Sequence, residues 1–107
     1  MEPEMKVKIA TPAELGLVIR AARRAQGLRL DDAAAFAGVG PVFTGDVEHG
    51  KETVQLGRVL RLLKQLGLEI VIEAPDAAAG ELAALRSRGL RERKKRRKPG
   101  VASTREA

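Results

Sequence analysis

A chain of 107 residues with a formal net charge of +6 suffices for one small domain and is short for two. It has no cysteine, which excludes a disulfide framework and a thiolate metal site, and only Phe36 and Phe43 are aromatic, which leaves an aliphatic core. No apolar run approaches the roughly 20 residues a membrane span needs, and the start MEPEMKVKIATP lacks the apolar centre of a signal peptide, so a cytoplasmic location is expected.

Met5-Lys6-Val7-Lys8-Ile9 alternates apolar and basic side chains at the period of a half-buried strand; residues 1–10 are read as an N-terminal arm or short strand. Thr11-Pro12-Ala13-Glu14 marks a helix start, with Thr11 as cap, Pro12 first in the helix and Glu14 placed to complete a capping box. Leu15, Val18, Ile19 and Ala22 recur at helical spacing, Arg20, Arg23 and Arg24 fall mostly off that face, and Gly27 ends the helix. A second helix is expected to begin near Arg29 to Asp31, where Asp31 and Asp32 suit its positive N-terminus. Ala33, Ala34, Phe36 and Ala37 give it small residues where another helix must come close. Gly38 suits a helix end that needs positive φ, Pro41 the first turn of a third helix, and Gly50 its end. Residues 28–50, LRLDDAAAFAGVGPVFTGDVEHG, thus read as a helix, a tight turn and a helix. That is the helix-turn-helix unit, whose second helix can lie in the major groove of DNA.

Lys51–Gln55 reads as a loop, and Leu56, Val59, Leu60, Leu62, Leu63 and Leu66 form the stripe of a further helix that Gly67 closes. Ile70-Val71-Ile72, β-branched and flanked by Glu69 and Glu73, reads as a strand that Pro75 stops. A lone strand leaves its backbone groups unpaired. Two partners are available: Met5–Ile9, whose Lys6 and Lys8 complement Glu69 and Glu73, and the same strand of a second copy. A core this small favours the dimer, through Ile70, Val71 and Ile72. Asp76–Leu85 has the composition of a helix of about three turns, weakened by Gly80. The charge-dense remainder, residues 86–107, is expected to be disordered alone. Residues 1–75 hold ten Lys/Arg and ten Asp/Glu, so the whole positive excess follows Pro75, where it can attract nucleic acid of any sequence. The expected fold is mainly α: a compact repressor-like domain of about four helices over 11–75, with a short C-terminal strand pairing across a dimer, and a basic tail over 76–107.

Ile19, Arg23, Gly27-Leu28, Ala34, Gly38-Val39, Phe43, Asp46-Val47-Glu48, Gly50-Lys51 and residues 56–67 stand in an order and spacing that resemble the phage-repressor-like (XRE) helix-turn-helix family. The resemblance covers roughly residues 13–74. Within that family, GVGPVFTGDVEHGKETVQLGRVLRLLKQLGLEIVI looks like the HipB-type antitoxins of type II toxin–antitoxin modules. The resemblance implies a homodimer that binds a palindromic operator in double-stranded DNA, represses its own operon and neutralises a HipA-like kinase toxin. It implies that the strand after the last helix pairs across the dimer. By position it puts Pro41, Val42 and Asp46 at base edges, with Thr44 offering a hydroxyl beside them. It puts His49 and Lys51 at phosphates, where Arg23 and Arg29 are expected to join them, and it matches Arg23 with Glu48 in an ion pair between the first and third helices. Where such proteins open their second helix with Thr-Gln, this chain has Arg29-Leu30: the cap is lost and Arg29 is expected to supply the phosphate contact. The third helix also lacks the Gln, Arg, Ser and Asn donors that read guanine and adenine edges. Val42 is left to meet a thymine methyl and Asp46 to accept from cytosine N4, with DNA shape or the tail cations Arg93, Lys94, Lys95, Arg96, Arg97 and Lys98 making up the rest.

Catalysis is not expected. His49 is the only histidine, Ser87 and Ser103 have no base beside them, and no metal, cofactor or small-molecule site is expected. Without Tyr or Trp, stacking on single strands is disfavoured. Two other functions fit the same residues: a stand-alone transcriptional regulator, and a protein-interaction antitoxin or adaptor that binds DNA weakly, mainly through its tail.

Overall fold

A computed structural model describes residues 4–89 of the chain. In it the elements follow in the order α1 (Pro12–Ala25), α2 (Leu30–Ala37), α3 (Pro41–Glu48), α4 (Leu56–Gln65) and α5 (Ala78–Arg88). Thr11 is extended and its hydroxyl accepts from the Glu14 backbone N–H at 3.2 Å, which starts α1. The Glu14 carboxylate accepts from the Ala10 N–H at 2.7 Å, one residue before the N–H of the cap that a capping box uses. Arg29 precedes α2 without a side-chain cap, and the acidic Asp31 and Asp32 occupy the first turn instead. Gly38 ends α2 in the left-handed region, at φ 72° and ψ 32°, and Val39 N–H donates back to Ala34 O at 2.9 Å. A side chain there would be strained, so glycine sets the sharp turn that aims Pro41 into α3.

The core collects Ile19 from α1, Ala33 from α2, Val47 from α3 and Val59, Leu62 and Leu63 from α4, with Leu66 just after it. Leu15, Leu28, Phe43, Val54 and Leu68 pack around them. α1 lies against α3, and α2 against both α3 and α4. Gly16 makes the first of these contacts possible. A Cβ at Gly16 would stand 2.5 Å from Glu48 O and 2.6 Å from Val47 O, so the two backbones cross with no room for a side chain. Gln26 Nε2 donates to Leu66 O at 2.9 Å and satisfies a carbonyl at the end of α4.

The chain divides into two units, one ending at Ile70 and the other beginning at Val71. In the second unit α5 buries none of its side chains. It runs through Arg88, three residues past the expected end at Leu85, so the first part of the supposed disordered tail is helical. Arg86 and Arg88 favour that extension by lying in the last turn, where the helix dipole attracts cations. The cations Arg93 to Lys98, and the rest of the tail expectation, lie outside the described residues.

Among the described residues there is no strand. Met5–Ile9 and Ile70–Ile72 therefore do not pair within one chain, as one of the two expected arrangements required. A strand exists only against a neighbour whose hydrogen bonds it can meet, and the described residues provide no such edge.

Candidate nucleic-acid interface

α3 has two faces set by its helical spacing. Thr44, Val47 and Glu48, at i, i+3 and i+4, turn inward and are buried. Pro41, Val42 and His49 are exposed on the other side, with Gly45 and Asp46 half-exposed between them. Val42 is 77% exposed, a high value for an apolar residue on a helix otherwise well packed. Phe43 lies at the margin and packs on the core.

Two expected site residues do not fit their roles. Thr44 is fully buried and its hydroxyl donates to Gly40 O at 3.0 Å, so it has no access to a base edge. Its position in the inward series with Val47 and Glu48 is the signal that could have shown this. Arg23 is equally committed. Its Nε donates to Glu48 Oε2 at 2.6 Å, its Nη2 to Glu48 Oε1 at 3.0 Å and its Nη1 to Leu28 O at 2.9 Å. With those donors used inside the protein, Arg23 is not placed to bind phosphate; it ties α1 to the last residue of α3. The hydrogen bond with Glu48 raises the Arg23 guanidinium above its ordinary range, burial works against this, and the Glu48 charge adds to it. Sequence reasoning missed a second cation on the same carboxylate: Arg20 Nε lies 3.5 Å from Glu48 Oε1, and its Nη2 donates to Glu48 O at 3.5 Å.

The remaining candidates stay on the surface. Lys51 Nζ stands 3.5 Å from Asp46 Oδ2, so a residue expected at phosphate and one expected at a base edge form a pair at the end of α3. His49 Nδ1 is 2.7 Å from Gly45 O. With the proton on Nδ1 satisfying that carbonyl, Nε2 of the neutral ring is an acceptor, and His49 can donate to a phosphate only as an imidazolium. Arg29 is largely solvent-exposed, with only a loose 3.8 Å contact to Asp31, an arrangement worth little in water. Ile70, Val71 and Ile72 are all exposed. Arg58, not singled out from the sequence, stands over the Phe43 ring at 6.0 Å from its centroid. Among the described residues no cluster of His, Asp and Glu could hold a metal, and no helix is long and apolar enough to cross a membrane.

The geometry agrees with what the chain is similar to. A model of the helix-turn-helix domain matches residues 14–71, from the first turn of α1 to beyond α4. An uncharacterized HTH-type transcriptional regulator of Sinorhizobium fredii, y4mF, is 48% identical over 71 residues, which are 66% of this chain and 93% of that protein. Among solved structures, a chain of the HipA-HipB-O2-O3 complex superposes with a TM-score of 0.60 at 18% identity, over 66% of this chain and all of that one, a likeness of fold. The restriction-modification controller protein C.AhdI of Aeromonas hydrophila is 31% identical, over 54% of this chain and 84% of that one, with a TM-score of 0.50. The matched residues include both helices of the turn and the core that holds them, and the chain belongs to the helix-turn-helix domain family.

Proposed function

We propose that this protein is a cytoplasmic transcriptional regulator that binds double-stranded DNA as a homodimer, with α3 in the major groove of each half of a two-fold operator. The observation that carries this is the division of α3: its inner face is locked by Val47, Thr44 and the Arg23–Glu48 pair, while its outer face is bare. A helix so short, so firmly held and so exposed presents its side chains as a rigid probe. Val42 supplies an apolar contact for a thymine methyl, Asp46 an acceptor for cytosine N4, and Pro41 the close approach of the helix start. Lys51, Arg29 and the protonated form of His49 hold the backbone, and Ile70, Val71 and Ile72 join the two copies. The chain's likeness to HipB-type sequences makes it an antitoxin in this proposal, repressing its own operon and neutralising a HipA-like kinase toxin.

Footprinting the DNA just upstream of the protein's own reading frame should show two protected half-sites about one helical turn apart. Removing residues 86–107 should leave that pattern and flatten the dependence of affinity on salt. Loss of all binding with the tail would transfer the function to the tail. One observation favours a second function: Asp46 is engaged by Lys51 and its neighbour Val42 is apolar, which leaves little to read bases. A chain that co-purifies with an adjacent kinase yet shifts no upstream DNA at moderate salt would be a protein-interaction antitoxin instead.

A further inference from the structure

We infer that Arg58, held on the ring of Phe43, contacts a phosphodiester of the DNA backbone beside α3; this rests on the DNA-binding function proposed above. Arg58 stands in the first turn of α4, where the helix N-terminus is partly positive and a cation is out of place. It is exposed, and among the described residues it forms no ion pair and donates no side-chain hydrogen bond. What holds it is an aromatic face: its guanidinium carbon lies 6.0 Å from the Phe43 centroid, at the outer edge of the range where a ring attracts a cation. The contact restrains a long, flexible side chain and leaves its N–H donors free. A guanidinium restrained with unused donors is suited to an anion that offers two oxygens to its planar fork, and the phosphodiester is the commonest such group on DNA.

Placement points the same way. Phe43 precedes Asp46 by three residues, so the two sit about 60° apart around α3 on one margin of its outward face. Asp46 engages Lys51 at one end of that margin and Phe43 engages Arg58 at the other. The pair of cations thus borders the face that meets bases without occupying it, which is where the groove wall and its phosphates lie. A purely structural Arg58 would stabilise the fold. Its attraction to the ring and its repulsion from the α4 N-terminus are both small and oppose each other, so the fold gains little from it.

The test compares the full chain with its Arg58→Ala and Arg58→Lys variants, by fluorescence anisotropy across a salt series. The probe is a mixed-sequence duplex of about three helical turns. Arg58→Ala should melt within a few degrees of the parent and bind roughly tenfold more weakly, with the slope of log affinity against log salt shallower by about one per subunit. Arg58→Lys should restore the slope and part of the affinity. An Arg58→Ala protein that matches the parent in affinity and slope overturns the inference while leaving the DNA-binding function intact. So does one that loses affinity with the slope unchanged. A parent chain that binds no duplex at all overturns both.

Discussion

Replacing Gly16 with valine should prevent the domain from folding, and Gly16→Ala should lower its melting temperature by about 10 °C. A methyl group at Gly16 would stand 2.5 Å and 2.6 Å from two backbone carbonyl oxygens of α3, well inside contact distance. Neither oxygen can swing aside as a side chain can, because both belong to a helix end that Arg23 and Arg20 fasten through Glu48. The helices must separate, and the loss of packing around Ile19 and Val47 outweighs the gain of up to about 1 kcal/mol that alanine brings to a helix. Gly57 gives the opposite sign for the same chemical change. Nothing lies within 4 Å of a Cβ there, so Gly57→Ala should leave melting unchanged or raise it slightly. Thermal unfolding followed by circular dichroism checks both, and a Gly16→Ala protein as stable as the parent would refute the tight crossing.

Glu48→Ala should be nearly as damaging. Glu48 is 3% exposed and accepts two hydrogen bonds from Arg23, with Arg20 beside it. Its removal leaves two like charges close together, one of them on an arginine side chain only 12% exposed, and breaking such a buried pair costs about 3–5 kcal/mol. In a small domain that approaches the whole stability. Glu48→Gln keeps one acceptor for the guanidinium and should cost less. The double variant Arg23→Met, Glu48→Leu should recover much of the loss, because it removes both the charges that need each other. Denaturant melts of the four proteins decide it; a Glu48→Ala melt like the parent's would show that the pair is incidental. Arg23 is held above the ordinary guanidinium range, so the stability tied to its charge is complete below its unfolded value and is lost only as pH rises through the higher folded one. Titration to about pH 10 should therefore not loosen this joint.

The helical scaffold was legible because its punctuation is local. Thr11-Pro12, Gly38, Pro41 and Gly67 state where helices start and stop, and α1 to α4 follow those marks. The Arg23–Glu48 partnership came from resemblance to a family, since nothing local says that residues 25 apart in sequence will meet. Thr44 offers a hydroxyl by residue type, but a threonine in series with Val47 and Glu48 belongs to the inner face whatever its hydroxyl could do elsewhere. Gly16 and Arg58 stayed hidden for a related reason. A close backbone crossing and a cation on a ring depend on the angle between helices, which periodicity does not contain. Ile70–Ile72 form no strand among the described residues, because a β-branched run needs a neighbouring edge that composition and periodicity cannot supply. The second unit shows the limit of composition, since charge density read as disorder while Arg86 to Arg88 in fact prolong α5.

The outward face of α3 carries the whole functional proposal, and Val42→Asp probes it alone. The side chain is 77% exposed in the first turn of a helix, where a carboxylate is favourable, so folding and melting should be unaffected. On DNA the same carboxylate would face phosphates and base acceptors with no cation to offset it. Gel shifts of the upstream DNA with the parent and Val42→Asp chains, at matched salt, should show specific binding weakened at least tenfold in the variant. Equal binding by two equally stable proteins would mean that α3 does not enter the groove.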